Sequence, residues 1–149
     1  MTKMKLNGLK KVRLVSQKLE KMKAQYTGAF AAALFQKGAE IFAESQEEVP
    51  VDTGRLRASG LVAPPPSIYE PVVYIAYGTK YGLYVHEDQT KRHGPVIGRG
   101  KGQKYKYLED PFNRAMTTFK SRMAYLTKRN IKLGIWNKPK RKLKGTKGP

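Results

Sequence analysis

The sequence predicts an α+β fold, with a long N-terminal helix and a C-terminal helix packed on a small antiparallel sheet. A long basic loop and a basic C-terminal arm are added to it. Three observations carry this reading. From about Leu9 to Glu48 nothing breaks a helix except isolated glycines. The middle of the chain holds two short runs rich in β-branched and aromatic residues, the composition of strands. A second stretch with helical spacing follows Asp110.

In the first element, Ala29, Phe30, Ala33, Leu34, Ala39, Ile41 and Phe42 recur at mixed steps of three and four, as an amphipathic helix requires. Gly28 and Gly38 each cost about 1 kcal/mol relative to alanine in a helix, so one of them is expected to mark a kink or a close contact. Pro50 ends the helix, because the residue before a proline is pushed out of the α region. The following "VDTGRLRASGLV" reads as a turn and then a strand beginning near Leu56. Asp52 can accept a hydrogen bond from backbone NH groups ahead of it, and Gly54 can take a positive φ.

"PPPSI" is a rigid extended connection. "EPVVYIAYGT" and "YGLYVHED", with a Gly-Thr turn between them, read as strand, turn and strand. Residues 89–106, rich in glycine and without an acid, form a long loop, the kind that is usually functional or disordered. "LEDPFNRAMTTFKSRMAYL" is the second helix, with Asp110 as its cap and Pro111 at its first position. Phe112, Ala115, Met116, Phe119, Met123 and Leu126 are expected to form one buried stripe. Beyond Asn130 little remains to bury except Ile135 and Trp136, so the rest reads as an arm.

With 149 residues, one domain with extensions is the expected organisation. Residues 1–24 are a basic extension and the start of the long helix, 25–127 the domain, and 128–149 the basic arm. Lys and Arg total 30 against 11 Asp and Glu, a formal net charge of +19, which attracts polyanions. The charge is segregated: Glu20 is the only acid in residues 3–23, and none occurs in 91–106 or 128–149. Without cysteine, disulfides, thiolate metal sites and cysteine nucleophiles are excluded. The N-terminus lacks the apolar core and cleavage site of a signal peptide, and no window approaches the roughly 20 apolar residues of a membrane span. A soluble protein made in the cytoplasm is expected.

The chemistry suggested by single motifs is weak. Asp52-Thr53-Gly54 resembles the aspartic-protease turn, but that mechanism needs two such carboxylates sharing a proton. This chain has one copy, followed by two basic residues, Arg55 and Arg57. The turn reads as structural. His86, Glu87, Asp88 and His93 are the only cluster resembling metal ligands, and His93 sits in the glycine-rich loop between basic neighbours. A strand-end histidine beside solvated acids is the better reading, and no metal or cofactor is expected. "GRGKG" lacks the flanking strand and helix of a phosphate loop. Tyr69, Tyr74, Tyr77, Tyr81, Tyr84, Tyr105 and Tyr107 interleave with bases as in a nucleic-acid stacking platform. Since Tyr74 and Tyr77 fall on opposite faces of a strand, packing on the helices is preferred. No nucleophile–base pair is present, and an enzyme is not expected.

Three segments in order nevertheless carry a resemblance: a helix ending "VPVDTGRLRAS", then "YIAYGTKYGLYVHED", then "KYLEDPF" after the basic loop. The chain resembles the neck or minor capsid proteins of tailed bacteriophages, the lambda-like head–tail connection and tail-completion family. Pro50, Asp52, Thr53, Gly54, Leu56 and Ser59 match the family's P-x-D-T-G-x-L-x-x-S. Tyr81, Gly82, Tyr84, Val85, His86 and Glu87 match its Y-(A/G)-x-Y-V-H-E element. Lys106, Tyr107, Leu108, Glu109 and Pro111 match its K-(F/Y)-L-E-x-P. The resemblance spans residues 25–125, and the specificity lies in the order of the motifs.

That resemblance implies a structural virion protein: a ring-forming subunit at the head–tail interface, around the DNA channel, made in the host cytoplasm. The implied partners are copies of itself, neighbouring connector or stopper proteins, and tail terminator or tail proteins. No catalytic residue transfers. Pro50, Asp52, Thr53 and Gly54 become the structural turn, and Arg55, Arg57, His86, Glu87, Glu109 and Trp136 the candidates for subunit or partner contact. Lys91, Arg92, Arg99, Lys101, Lys104, Lys138, Lys140, Arg141 and Lys142 are candidates for contact with DNA or an acidic partner. The alternative is an RNA- or DNA-binding protein of ribosomal-protein type, favoured by the basic tails.

Overall fold

Helix α1 runs unbroken from Thr2 to Glu48 in the computed structural model, which describes residues 2–88 and 105–135, with side chains from residue 10 onward. It therefore begins a few residues before the expected start. Gly38 is tolerated inside it for a packing reason. A Cβ at that position would lie 2.6 Å from Val73 Cγ1, so the absent methyl is where the chain leading into the sheet presses on the helix. The last turn closes with Val49 N–H donating to the Ser45 carbonyl at 2.9 Å, and Pro50 stops it.

Gly54 then adopts φ 78°, the left-handed conformation that glycine takes without penalty. It opens α2, a single turn at Arg55–Ala58. Strand β1 (Gly60–Ala63) pairs antiparallel with β2 (Tyr74–Tyr77), with Gly60 opposite Tyr77 and Ala63 opposite Tyr74. Among the described residues the sheet has these two strands. The proline-rich segment spans the distance between them. α3 (Gly82–Glu87) follows, and beyond residues 89–104 come α4 (Glu109–Thr117) and α5 (Phe119–Leu133).

The fold is α+β, and α1 is its shared spine: α5, α4 and both strands pack against it. Helices α1 and α5 run antiparallel, since Asn130 meets Ala29 while Arg122 meets Glu40. Between them lies one core cluster, Ala33 with Met123 and Leu126, flanked by Phe30, Leu34 and Phe119. A second cluster joins Val49, Leu56 and Tyr107, flanked by Tyr77, Val85 and Leu108.

Several sequence expectations are corrected here. Leu56 begins no strand but sits in α2, because the Gly54 turn drops its side chain into the second cluster. "YGLYVHED" is helical, not the second strand of a hairpin. β2 finds its hydrogen-bonding partner in β1, and the Gly82 N–H closes a turn onto the Thr79 carbonyl at 3.1 Å. Strand preference reflects side-chain packing against neighbours, and Val85 packs beside Tyr107 from a helical turn.

The C-terminal helix is two helices, broken at Thr118. Local side-chain bonds compete with the helix there, with Thr117 Oγ1 donating to the Arg114 carbonyl and Ser121 Oγ to that of Thr118. α4 starts at Glu109, with Leu108 rather than Asp110 at its cap position, and Pro111 is buried inside its first turn. Of the expected stripe, Ala115, Met123 and Leu126 are buried and Phe119 partly so, while Phe112 and Met116 are exposed. Helix α5 also carries the fold past residue 127, to Leu133, with Asn130 fully buried.

Candidate functional site at the stems of the basic loop

The three segments that carry the sequence motifs meet at one place. Val49 at the end of α1, Leu56 in α2 and Tyr107 before α4 form the buried cluster, and Val85 of α3 packs against it. Tyr107 is its centre. Its hydroxyl donates to the Gly82 carbonyl at 3.0 Å, and its ring meets Tyr77 edge-on at 5.1 Å and His86 edge-on at 4.9 Å. Burial, reinforced by Tyr77 and Tyr81, pushes the Tyr107 phenol up to about 12. Tyr77 is likewise raised by burial, partly offset by the 2.8 Å hydrogen bond its hydroxyl shares with Ser45 Oγ.

Outside this core lies an ionic clasp. Lys106 Nζ reaches Glu109 Oε2 at 2.6 Å and Glu87 Oε2 at 2.8 Å, and its backbone N–H donates to the His86 carbonyl at 2.8 Å. Lys106 takes φ 56°, the one non-glycine residue in the left-handed region among the described residues. Holding a lysine in that conformation is unfavourable in isolation, and its three partners supply the compensation. His86 Nδ1 lies 2.7 Å from Glu87 Oε1. Glu87 is held below its usual carboxylate range, first by Lys106 and then by His86. Lys106 is raised above the usual lysine range by Glu109 and then Glu87.

His86 and Glu87 on one side of residues 89–104 and Lys106 on the other are therefore fastened together. His86, Glu87 and Glu109 are brought together there. Beside them Val73, Ile75, Leu108 and Phe112 line an open, mainly apolar groove of about 350 Å³ that His86 and Glu109 complete. On the structural turn, Asp52 and Thr53 are exposed and Pro50 is half-buried. Arg55 and Arg57 are exposed on α2, and the Arg57 carbonyl accepts from Gln46 Nε2. Trp136 and all nine candidates for DNA or acidic-partner contact lie outside the described residues, as does His93. Among the described residues no group of three His, Cys, Asp or Glu side chains is placed to hold a metal ion.

Sequence reasoning missed two features. The clasp residue Lys106 had a local signal, its spacing of three from Glu109. The other feature is a ladder on α1, where Glu40, Glu44 and Glu48 recur every four residues and so share one face. Arg122 pairs with Glu40, and Arg114 reaches Glu48 at 2.6 Å and Glu44 at 3.3 Å. Arg122 holds Glu40 below its usual range. The i,i+4 acidic row was legible in the sequence; its distant basic partners were not.

Among the described residues no helix is long and apolar enough to cross a membrane. Comparison of the chain with protein-family models, curated proteins and solved structures finds no match in any of the three.

Proposed function

We propose that this chain is a structural virion protein of a tailed phage, a ring-forming neck subunit at the head–tail interface around the DNA channel. The observation that carries this reading is the convergence of the three motif segments on Tyr107. Leu56 of the first, Gly82 and Val85 of the second, and Tyr107 and Leu108 of the third pack into one cluster with the loop stems fastened beside it. Motifs far apart in sequence thus serve one device, a junction that fastens the residues on either side of the basic segment.

The mechanism is assembly. Arg55 and Arg57, together with His86, Glu87 and Glu109 at the clasp, form the surface toward neighbouring subunits or rings. The basic loop and the C-terminal segment containing Trp136 supply contacts to acidic partners or to DNA, and stopper and tail proteins are the expected neighbours. Polyanion contact at these segments weakens steeply as salt rises.

Particles lacking the protein test the reading. Expected are DNA-filled heads that fail to join tails, with joining restored by added protein and the subunit located at the neck by symmetry averaging. Full joining without the protein, or recovery of the protein only with nuclease-sensitive ribonucleoprotein, overturns it.

A further inference from the structure

Among the described residues nothing covers the 10–26 half of α1, which carries an apolar seam. Val12, Val15, Leu19, Met22 and Tyr26 follow one another at steps of three, four, three and four, and each is between 60% and 67% exposed. Leu14 lies off that seam. The same heptad phase continues into Ala29 and Ala33, both fully buried. There α5 covers it through Met123 and Leu126. The covering helix ends at Leu133, just past the Asn130 side chain that donates to the Ala29 carbonyl at 3.2 Å. Among the described residues one continuous helix face is therefore packed over its second half and bare over its first.

Charge decides what can cover the bare half. With Val12 and Val15 as the two seam positions of a heptad, the flanking positions hold Lys11, Lys18 and Lys23, alongside Ser16 and Gln25. Flanking residues set partner choice in coiled coils through interhelical ion pairs. A second copy of this helix sets lysine against lysine: Lys18 faces Lys23 in a parallel pair, and like flanks meet in an antiparallel one. The chain's own residues 136–149 carry Lys138, Lys140, Arg141, Lys142, Lys144 and Lys147 and no acid, so they offer these lysines no complementary charge. A purely electrostatic partner has no use for the apolar seam.

We propose that this face docks an acidic amphipathic helix of a different protein, with apolar residues at the seam and Glu or Asp at the flanks, continuing along α1 where α5 stops. The inference goes beyond the neck reading and does not rest on it, since it concerns α1 alone.

The test uses the full chain and a synthetic helical peptide with Leu and Ile at the seam and Glu at both flanks. A scrambled peptide of the same composition, duplex DNA and phosphatidylglycerol vesicles are run in parallel. Expected are one-to-one binding of the heptad peptide, amide protection confined to residues 10–26, and at least tenfold weaker binding by Leu19→Gln and by Val15→Gln. Both variants keep a helix-compatible residue at a position outside the core, and an unchanged melting temperature verifies their fold. Lys18→Glu should also weaken binding.

Equal binding of the scrambled peptide, or full binding by both glutamine variants, overturns the proposal. So does displacement of the peptide by DNA or vesicles that protect residues 10–26 more strongly. Self-association abolished by Leu19→Gln assigns the face to a second copy and overturns it too.

Discussion

The Tyr107 hydroxyl donates a hydrogen bond to the Gly82 carbonyl at 3.0 Å, tying the residue after the basic loop to the first turn of the helix before it. The bond is buried and spans 25 positions of sequence. Tyr107→Phe removes the donor and keeps the ring, so a loss of about 1 kcal/mol is expected, the usual net worth of one such bond. Tyr107→Ala also empties the cluster of Val49 and Leu56, and should cost about 3–5 kcal/mol. Urea unfolding monitored by circular dichroism separates the two. Equal losses show that the hydroxyl, not the packing, holds the junction.

Gly38→Ala should destabilise although alanine is the better helix former. The propensity gain is about 1 kcal/mol, but the new methyl would lie 2.6 Å from Val73 Cγ1, and overpacking of this kind costs about 1–3 kcal/mol. Val73→Ala in the same chain removes the clash, so the double variant should recover part of the loss. A double-mutant cycle in thermal unfolding measures the coupling. Strictly additive effects show that the helix and the segment before β2 do not press on each other.

Two polar residues of α5 face α1 and should respond oppositely. Thr127 Oγ1 is buried without a hydrogen-bond partner. Thr127→Val keeps the shape and removes an unsatisfied group, so stability should hold or rise by about 1 kcal/mol. Asn130 is fully buried and its amide donates to the Ala29 carbonyl. Asn130→Asp replaces that donor with a carboxylate facing a carbonyl oxygen, and should be strongly destabilising at neutral pH and less so in acid, where the group is protonated. Chemical unfolding at pH 7 and pH 4 provides the check.

Stability should fall at both ends of the pH range. Glu40 and Glu87 are lowered from 4.5, chiefly by Arg122 and Lys106 respectively. Their contribution is complete above 4.5 and is lost as pH falls through the lower folded-state values. Lys106 is raised above 10.5, and Tyr107 is pushed from 10.0 to about 12. Both contributions are complete below the unfolded values and disappear as pH rises through the folded ones, so stability declines above pH 10. Glu40→Gln should flatten part of the acid limb and leave the alkaline limb in place. An unchanged acid limb removes the Arg122 pair from the account.

Much of the molecule was written locally. The long helix, its stop at Pro50, the positive φ of Gly54 and the burial of Ala115, Met123 and Leu126 follow from periodicity, proline geometry and the missing Cβ. These properties depend on residues within a turn or two of each other. The candidate site was legible only in part. His86, Glu87 and Glu109 were singled out, whereas the Lys106 clasp that joins them links residues 19 positions apart.

Leu56 and Val85 show where local reading ends. Both lie in runs that suit a strand, and both are helical. β1 and β2 pair with each other, while Tyr107 offers Leu56 and Val85 an apolar pocket that their helical turns reach. Side-chain preference was determined by the sequence; which backbone conformation buried those side chains was decided by which distant segments arrived beside them.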